Sequence, residues 1–144
     1  MTIYLDFDGT LVEHQYPKMG RCNFGCIEVL EKLHKAGHAF ILNTYRSELS
    51  KESLQEAHDW LEGSWRCLKD RSNCDTFDTD FLKMPSTSHK IHPDTWDIKK
   101  AIETGVMYID DIASDIPLKR AVMTSGNMVD WDTLDKQFQE HKIY

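Results

Sequence analysis

The stretch Thr2-Ile-Tyr-Leu-Asp6-Phe-Asp8-Gly-Thr10-Leu11 constrains the rest of the chain. Ile and Tyr favour extended backbone, and Gly9 is a turn signal, so the apolar run starting at Ile3 reads as a buried strand. Two carboxylates close together at the end of such a strand repel each other in a dry environment unless a cation joins them. The fold must therefore bring positive charge to Asp6 and Asp8.

The remaining segments alternate helical and extended patterns. Val12 to Asn23 is loop-like, with Pro17 and Gly20 as breakers. Asn23 is expected to cap a helix running to about Ala36 and ending at Gly37, with Ile27, Leu30, Leu33 and Ala36 along one side. His38 to Thr44 reads as a second buried strand ending in polar residues. A helix is expected from Ser50 to about Gly63, with Trp60 and Trp65 packing on the core. A short strand is expected near Thr76-Phe77, a helix from Pro93 to about Gly105, and a strong strand at Val106-Met-Tyr-Ile109, followed at once by Asp110-Asp111. Ala121 to Met123 reads as a last strand and Trp131 to His141 as a closing helix. Such alternation implies an α/β fold: a three-layer, Rossmann-like parallel sheet with helices on both faces. In that architecture ligands bind outside the carboxyl ends of the strands. Asp6 to Thr10, Thr44 to Arg46 and Asp110 to Asp115 all follow expected strand ends.

The chain has 144 residues, which suits one domain over residues 1–144. Its net charge of −7 disfavours a general nucleic-acid surface. No apolar run reaches membrane-span length, and the N-terminus lacks a signal-peptide pattern, so a cytoplasmic location is expected. Cys22, Cys26, Cys67 and Cys74 fit no common zinc spacing, so thiols in a reducing compartment are expected, with a zinc site involving His89 and His92 as the alternative.

Three acidic groups converging on one place suit a hard cation, and Mg²⁺ takes carboxylates, waters and substrate phosphate. No P-loop, H-E-x-x-H, G-x-S-x-G or EF-hand pattern is present. A carboxylate nucleophile is the chemistry that these residues support, since carboxylates form aspartyl-phosphates. Asp8 is placed to exchange a proton with the leaving oxygen and water, Thr44 to donate to a phosphoryl oxygen, and a lysine to balance charge.

Asp6-Phe-Asp-Gly-Thr-Leu11 resembles motif I of the haloacid dehalogenase (HAD) superfamily, Leu42-Asn-Thr-Tyr-Arg46 its motif II, and Tyr108-Ile-Asp-Asp-Ile-Ala-Ser-Asp115 its acidic motif IV. The resemblance implies Asp6 as nucleophile and metal ligand. It implies Asp8 as general acid/base with its backbone carbonyl on the metal, and Thr44 as phosphoryl holder. Asp111 would be the acidic ligand, with Asp110 and Asp115 ligating directly or through water. For the motif III lysine, Lys90 is favoured over Lys100 and Lys99. Arg46 and Lys100 are candidate substrate contacts. Leu11 to Asn23 is too short for an inserted domain, so the resemblance is to small, capless members. Their open site admits a small phosphate ester or a phosphorylated macromolecular end, unless an oligomeric partner covers it. The expected activity is an Mg²⁺-dependent phosphatase; the alternatives are a phosphotransferase or nucleotidase, a polynucleotide-end phosphatase, or a silent HAD-like binding module.

Overall fold

The computed structural model describes residues 1–72 and 80–144. The strand expected at Thr76-Phe77 and the thiol of Cys74 lie outside them. Strand β1 (Thr2–Leu5) sits between β2 (Ala39–Leu42) and β3 (Val106–Ile109), and both pairings are parallel. The registers set Leu5 beside both Leu42 and Ile109, so all three strands end level. A single parallel bridge, Leu42 to Ser86, extends the sheet beyond β2. Residues 85–87 provide its two hydrogen bonds, Leu42 N–H to Pro85 C=O and Thr87 N–H to Leu42 C=O, at 2.8 and 2.9 Å.

Alternate residues of each strand face the core. Ile3, Leu5, Phe40, Leu42, Met107 and Ile109 are buried, as the period of two in extended chain requires. The helices α1 (Cys26–Lys35), α3 (Lys51–Ser72) and α5 (Trp131–Glu140) are linked through α1, which touches both of the others. Their buried residues include Leu30 and Leu33, Ala57, Leu61 and Trp65, and Trp131, Leu134 and Phe138. The expected cover on both faces is unequal. On the opposite face Tyr4, Ile41 and Tyr108 are half-buried while Ala39 and Val106 are exposed. The Tyr4 and Tyr108 rings stack there across the β1–β3 pair, with centroids 4.8 Å apart. Helix α4 (Ile98–Thr104) packs against β3.

Several boundaries differ from the sequence reading, each for a local reason. Helix α1 starts at Cys26 after Gly25 in left-handed backbone, and Asn23 does not cap it. Instead the Asn23 side-chain amide donates to the Thr10 and Val129 carbonyls at 2.9 and 2.7 Å. A four-residue helix, α2 (Arg46–Leu49), precedes α3, and Ser50 Oγ accepts from Ser53 N–H. Helix α3 runs through Gly63 because Leu61 and Trp65 continue its buried stripe; Trp65 stacks on Phe81 and Trp60 packs edge-on against Phe7. Helix α4 starts five residues later than expected, where the Asp97 side chain accepts from Lys100 N–H. Residues 121–123 are a turn; the strands there are β4 (Leu118–Arg120) and β5 (Asn127–Val129), an antiparallel pair. Among the described residues no helix is long and apolar enough to cross a membrane.

Asn23 therefore ties the loop after β1 to the end of β5. Its replacement strands the buried Val129 carbonyl, because Thr10 C=O keeps the Trp131 indole N–H as a second donor at 2.7 Å. Asn23→Ala is expected to cost about 1–3 kcal/mol of unfolding free energy in urea titration.

Candidate active site

The level strand ends place three acidic side chains together. Asp6 follows β1, and its N–H donates to Ile109 C=O at 3.0 Å, which continues the β1–β3 ladder by one residue. Asp110 then stands beside it at the end of β3. Asp6, Asp110 and Asp111 each present a carboxylate oxygen within 4.8 Å of the others, and the first two are buried. The trio lies outside the carboxyl ends of the parallel strands, where ligands bind in such sheets.

Lys90 reaches the same point from the extended segment after residue 87. Its side chain is buried, with Nζ 3.1 Å from Asp6 Oδ1 and 3.0 Å from Asp110 Oδ2. The contact to Asp110 is an ion pair without hydrogen-bond alignment, which leaves that buried oxygen with no hydrogen bond. Burial alone would lower the pKa of Lys90, but Asp6 and Asp110 outweigh it and hold the ammonium above the ordinary lysine value. Asn43, which the sequence reading left without a role, places this lysine. Its side chain accepts from Ile91 N–H at 2.8 Å and donates to Ile91 C=O at 2.9 Å, and Thr87 Oγ1 donates to it at 3.0 Å. A buried amide directly after a strand and before Thr44 was the available signal.

The loop after β1 completes the arrangement. Thr10 Oγ1 donates to Asp6 Oδ2 at 3.0 Å. Gly9 has φ of +83°, and a Cβ there would lie 2.4 Å from Asp111 Oδ2. Glycine is required on both counts, and its missing side chain is the space that Asp111 fills.

Asp8 is held apart from the trio. The guanidinium of Arg46 pairs with it through Nε at 2.7 Å and Nη2 at 2.9 Å. Arg46 is buried, its guanidinium 5.2 Å from the ring centroids of both Phe7 and Tyr16, and it also meets Glu56 at 3.5 Å. The hydrogen bond to Asp8 holds its pKa above the usual arginine value. Arg46 thus lines the cavity while its charge is engaged by Asp8. Thr44 is buried beside it, and its hydroxyl accepts from Arg46 N–H at 3.2 Å, leaving the hydroxyl proton to donate.

The other residues singled out from the sequence lie elsewhere. Lys100 is exposed on α4, with Nζ 3.8 Å from Asp94. Lys99 is exposed too. Because α4 starts only at Ile98, these lysines sit within its first turn, and the crossing segment that enters the site carries Lys90. Asp115 is exposed on a turn with φ of +67° and lies outside the trio. His89 pairs with Glu48 at the surface, and Cys22, Cys26 and Cys67 are not disulfide-bonded. Among the described residues none of these joins a cluster of metal-ligating groups.

The cluster carries an excess of negative charge. Four carboxylates (Asp6, Asp8, Asp110 and Asp111) face two cations (Lys90 and Arg46), leaving two negative charges when all are ionised. Burial and the neighbouring Asp110 push the Asp6 pKa well above the carboxylate range, partly countered by Lys90. Burial likewise raises Asp111. Asp6, Asp110 and Asp111 offer an all-oxygen donor set that could hold a metal ion.

No family model matches the chain, and no curated protein matches it. Among solved structures it is similar to one described as the conserved protein coded by locus from Bacteroides thetaiotaomicron. The two share 24% identity, with 98% of this chain and 91% of that one covered and a TM-score of 0.53. The likeness is one of fold, a mixed α/β chain built on a parallel sheet.

The raised Asp6 and Asp111 pKa values make the folded, metal-free chain hold more protons than the unfolded chain. Its stability is therefore expected to fall as pH rises above about 3.9, the unfolded aspartate value. A divalent cation at a hundredfold excess over its Kd would return about 2.7 kcal/mol, raising Tm by roughly 5–10 °C near neutral pH and by less in acid. Thermal melts with Mg²⁺ and with chelator at two pH values check this; Asp111→Asn should raise the metal-free Tm and shrink the Mg²⁺-dependent shift.

Proposed function

We propose that this chain is an Mg²⁺-dependent phosphatase, a capless member of the haloacid dehalogenase superfamily, which hydrolyses a phosphate monoester through an aspartyl-phosphate on Asp6. The observation that carries the reading is the setting of Asp6. Its two oxygens are fixed by Thr10 and Lys90 at the floor of a cavity, with Asp110 and Asp111 alongside. The resemblance of residues 6–11 and 108–115 to motifs I and IV supports the reading for Asp6, Asp110 and Asp111.

Asp6, Asp110 and Asp111 would hold the cation, which when bound neutralises phosphoryl charge and the repulsion between carboxylate and phosphate. A carboxylate oxygen of Asp6 attacks phosphorus, and the bond from phosphorus to the ester oxygen breaks. To act as the acid, Asp8 must take up a proton as its contact with Arg46 opens, and it gives that proton to the departing oxygen; as the base it then takes a proton from water as the water attacks phosphorus and releases phosphate and Asp6. Arg46 holds the Asp8 carboxylate while it is ionised. Thr44 donates a hydrogen bond from its hydroxyl to a phosphoryl oxygen, and Lys90 supplies positive charge beside the phosphoryl group whose phosphorus Asp6 attacks. Among the described residues no domain-sized insertion stands between β1 and α1, which supports the capless reading.

The purified protein is expected to hydrolyse an aryl phosphate with Mg²⁺ and to stop when the metal is chelated; turnover that persists in chelator would remove this mechanism. Asp6→Asn should lower kcat by at least about a thousandfold, since a carboxamide is a poor nucleophile, while circular dichroism shows the fold retained. Lys90→Met should cost about a hundredfold or more in kcat and Lys100→Met little, because only the first removes positive charge beside the reacting group. Equal losses for the two lysine variants would contradict the placement of Lys90.

A further inference from the structure

We propose that the phosphate ester this site serves has an uncharged, flat or apolar leaving group, of the aryl or benzyl type. This proposal rests on the phosphatase reading above. The cavity over Asp6 has a volume of about 170 Å³ and changes character from floor to mouth. The floor is ionic. The mouth is formed by Tyr45 and Leu49 at the two ends of α2, Ile112 from the turn after β3, and Tyr16 from the loop after β1. Tyr45 is 47% exposed, Leu49 56% and Ile112 47%.

One exposed apolar residue is ordinary, but three from two separate segments meeting at one polar cavity form a wall that a ligand would desolvate. A phosphoryl group at Asp6 takes the ionic floor of the cavity, which leaves the body of the leaving group in the remaining space against that wall. One face of the Tyr45 ring meets Lys90, whose Nζ sits 4.7 Å from its centroid. The ring offers an aromatic surface to a ring stacked on it.

The charges at the mouth point the same way. The lysine and arginine lining the cavity are Lys90 and Arg46, whose side chains are buried against Asp6, Asp110 and Asp8. His14 is the remaining basic side chain among the lining residues. No lysine or arginine at the mouth, among the described lining residues, meets a second phosphate or a carboxylate. A bisphosphate or a polynucleotide end, with anions flanking the reacting one, would be poorly neutralised.

The test compares kcat/KM with Mg²⁺ for benzyl phosphate, glycerol 3-phosphate and fructose 1,6-bisphosphate. The first two both release an alkoxide oxygen, so their difference reports contact with the body of the leaving group. Benzyl phosphate is expected to be preferred by at least about tenfold over either, and Leu49→Ser combined with Ile112→Ser to cut that preference by roughly tenfold. Both side chains are exposed, so the double variant should fold, as its Tm will show. In parallel, calorimetry with Mg²⁺ should find benzylphosphonate binding more tightly than methylphosphonate by a similar factor, a readout that needs no turnover. Equal or reversed preferences, or a preference that the double variant leaves intact, would overturn the inference while the phosphatase reading stands. Failure to hydrolyse any of the three esters, together with equal binding of the two phosphonates, would remove both.

Discussion

The structure depends on packing like charges at the ends of neighbouring parallel strands. Because Leu5 is paired with Ile109, Asp6 and Asp110 must emerge side by side, and both are buried. Two such charges about 4 Å apart repel by on the order of 4 kcal/mol at the effective dielectric typical of proteins. Lys90 lies between them at near-equal distances and offsets much of that repulsion. It can do so only because Asn43 grips the next residue by both backbone groups. Asp111 then adds a further carboxylate, admitted by the bare Cα of Gly9. The site is thus an anionic cluster held together by one lysine, with negative charge to spare.

The two buried cations divide the work. Lys90 is a point charge shared between carboxylates, and Arg46 is a planar fork that holds one carboxylate in a set orientation. Stacking between Phe7 and Tyr16 keeps that fork in place. Buried ion pairs seldom add net stability, since desolvation cancels much of their attraction. Here they separate two aspartates two residues apart into different surroundings: Asp6 among acids and a lysine, Asp8 against a guanidinium.

Much of the fold was legible because its signals are local. The runs at Ile3–Leu5 and Val106–Ile109 are strands, the alternation of strands with helices implies a parallel sheet, and the closing helix starts at Trp131 as its pattern suggests. The misjudged boundaries turned on tertiary partners. Asn23 looked like a cap, yet its amide bonds to a carbonyl more than a hundred residues away. Gly63 looked like a helix end, but the stripe through Trp65 buries enough surface to carry α3 past it. Arg46 could not be placed from sequence, because the aromatic pair that encloses it joins only on folding.

The sequence by itself determined which residue types stand at the strand ends: acids after β1 and β3, and a polar pair and an arginine after β2. Those positions follow from short apolar runs bounded by polar residues, which are readable without partners. Only the tertiary structure decided which lysine serves the cluster, which aspartates form it and which one Arg46 takes. Lys90 enters because residues 85–87 pair with β2 and carry the chain across the sheet's end, whereas Lys99 and Lys100 fall in a helix that begins after that crossing. Asp115 resembles its neighbours in sequence but lies on a turn facing solvent. Such choices depend on strand register and on the path of the chain between strands, and nothing local in the sequence encodes either.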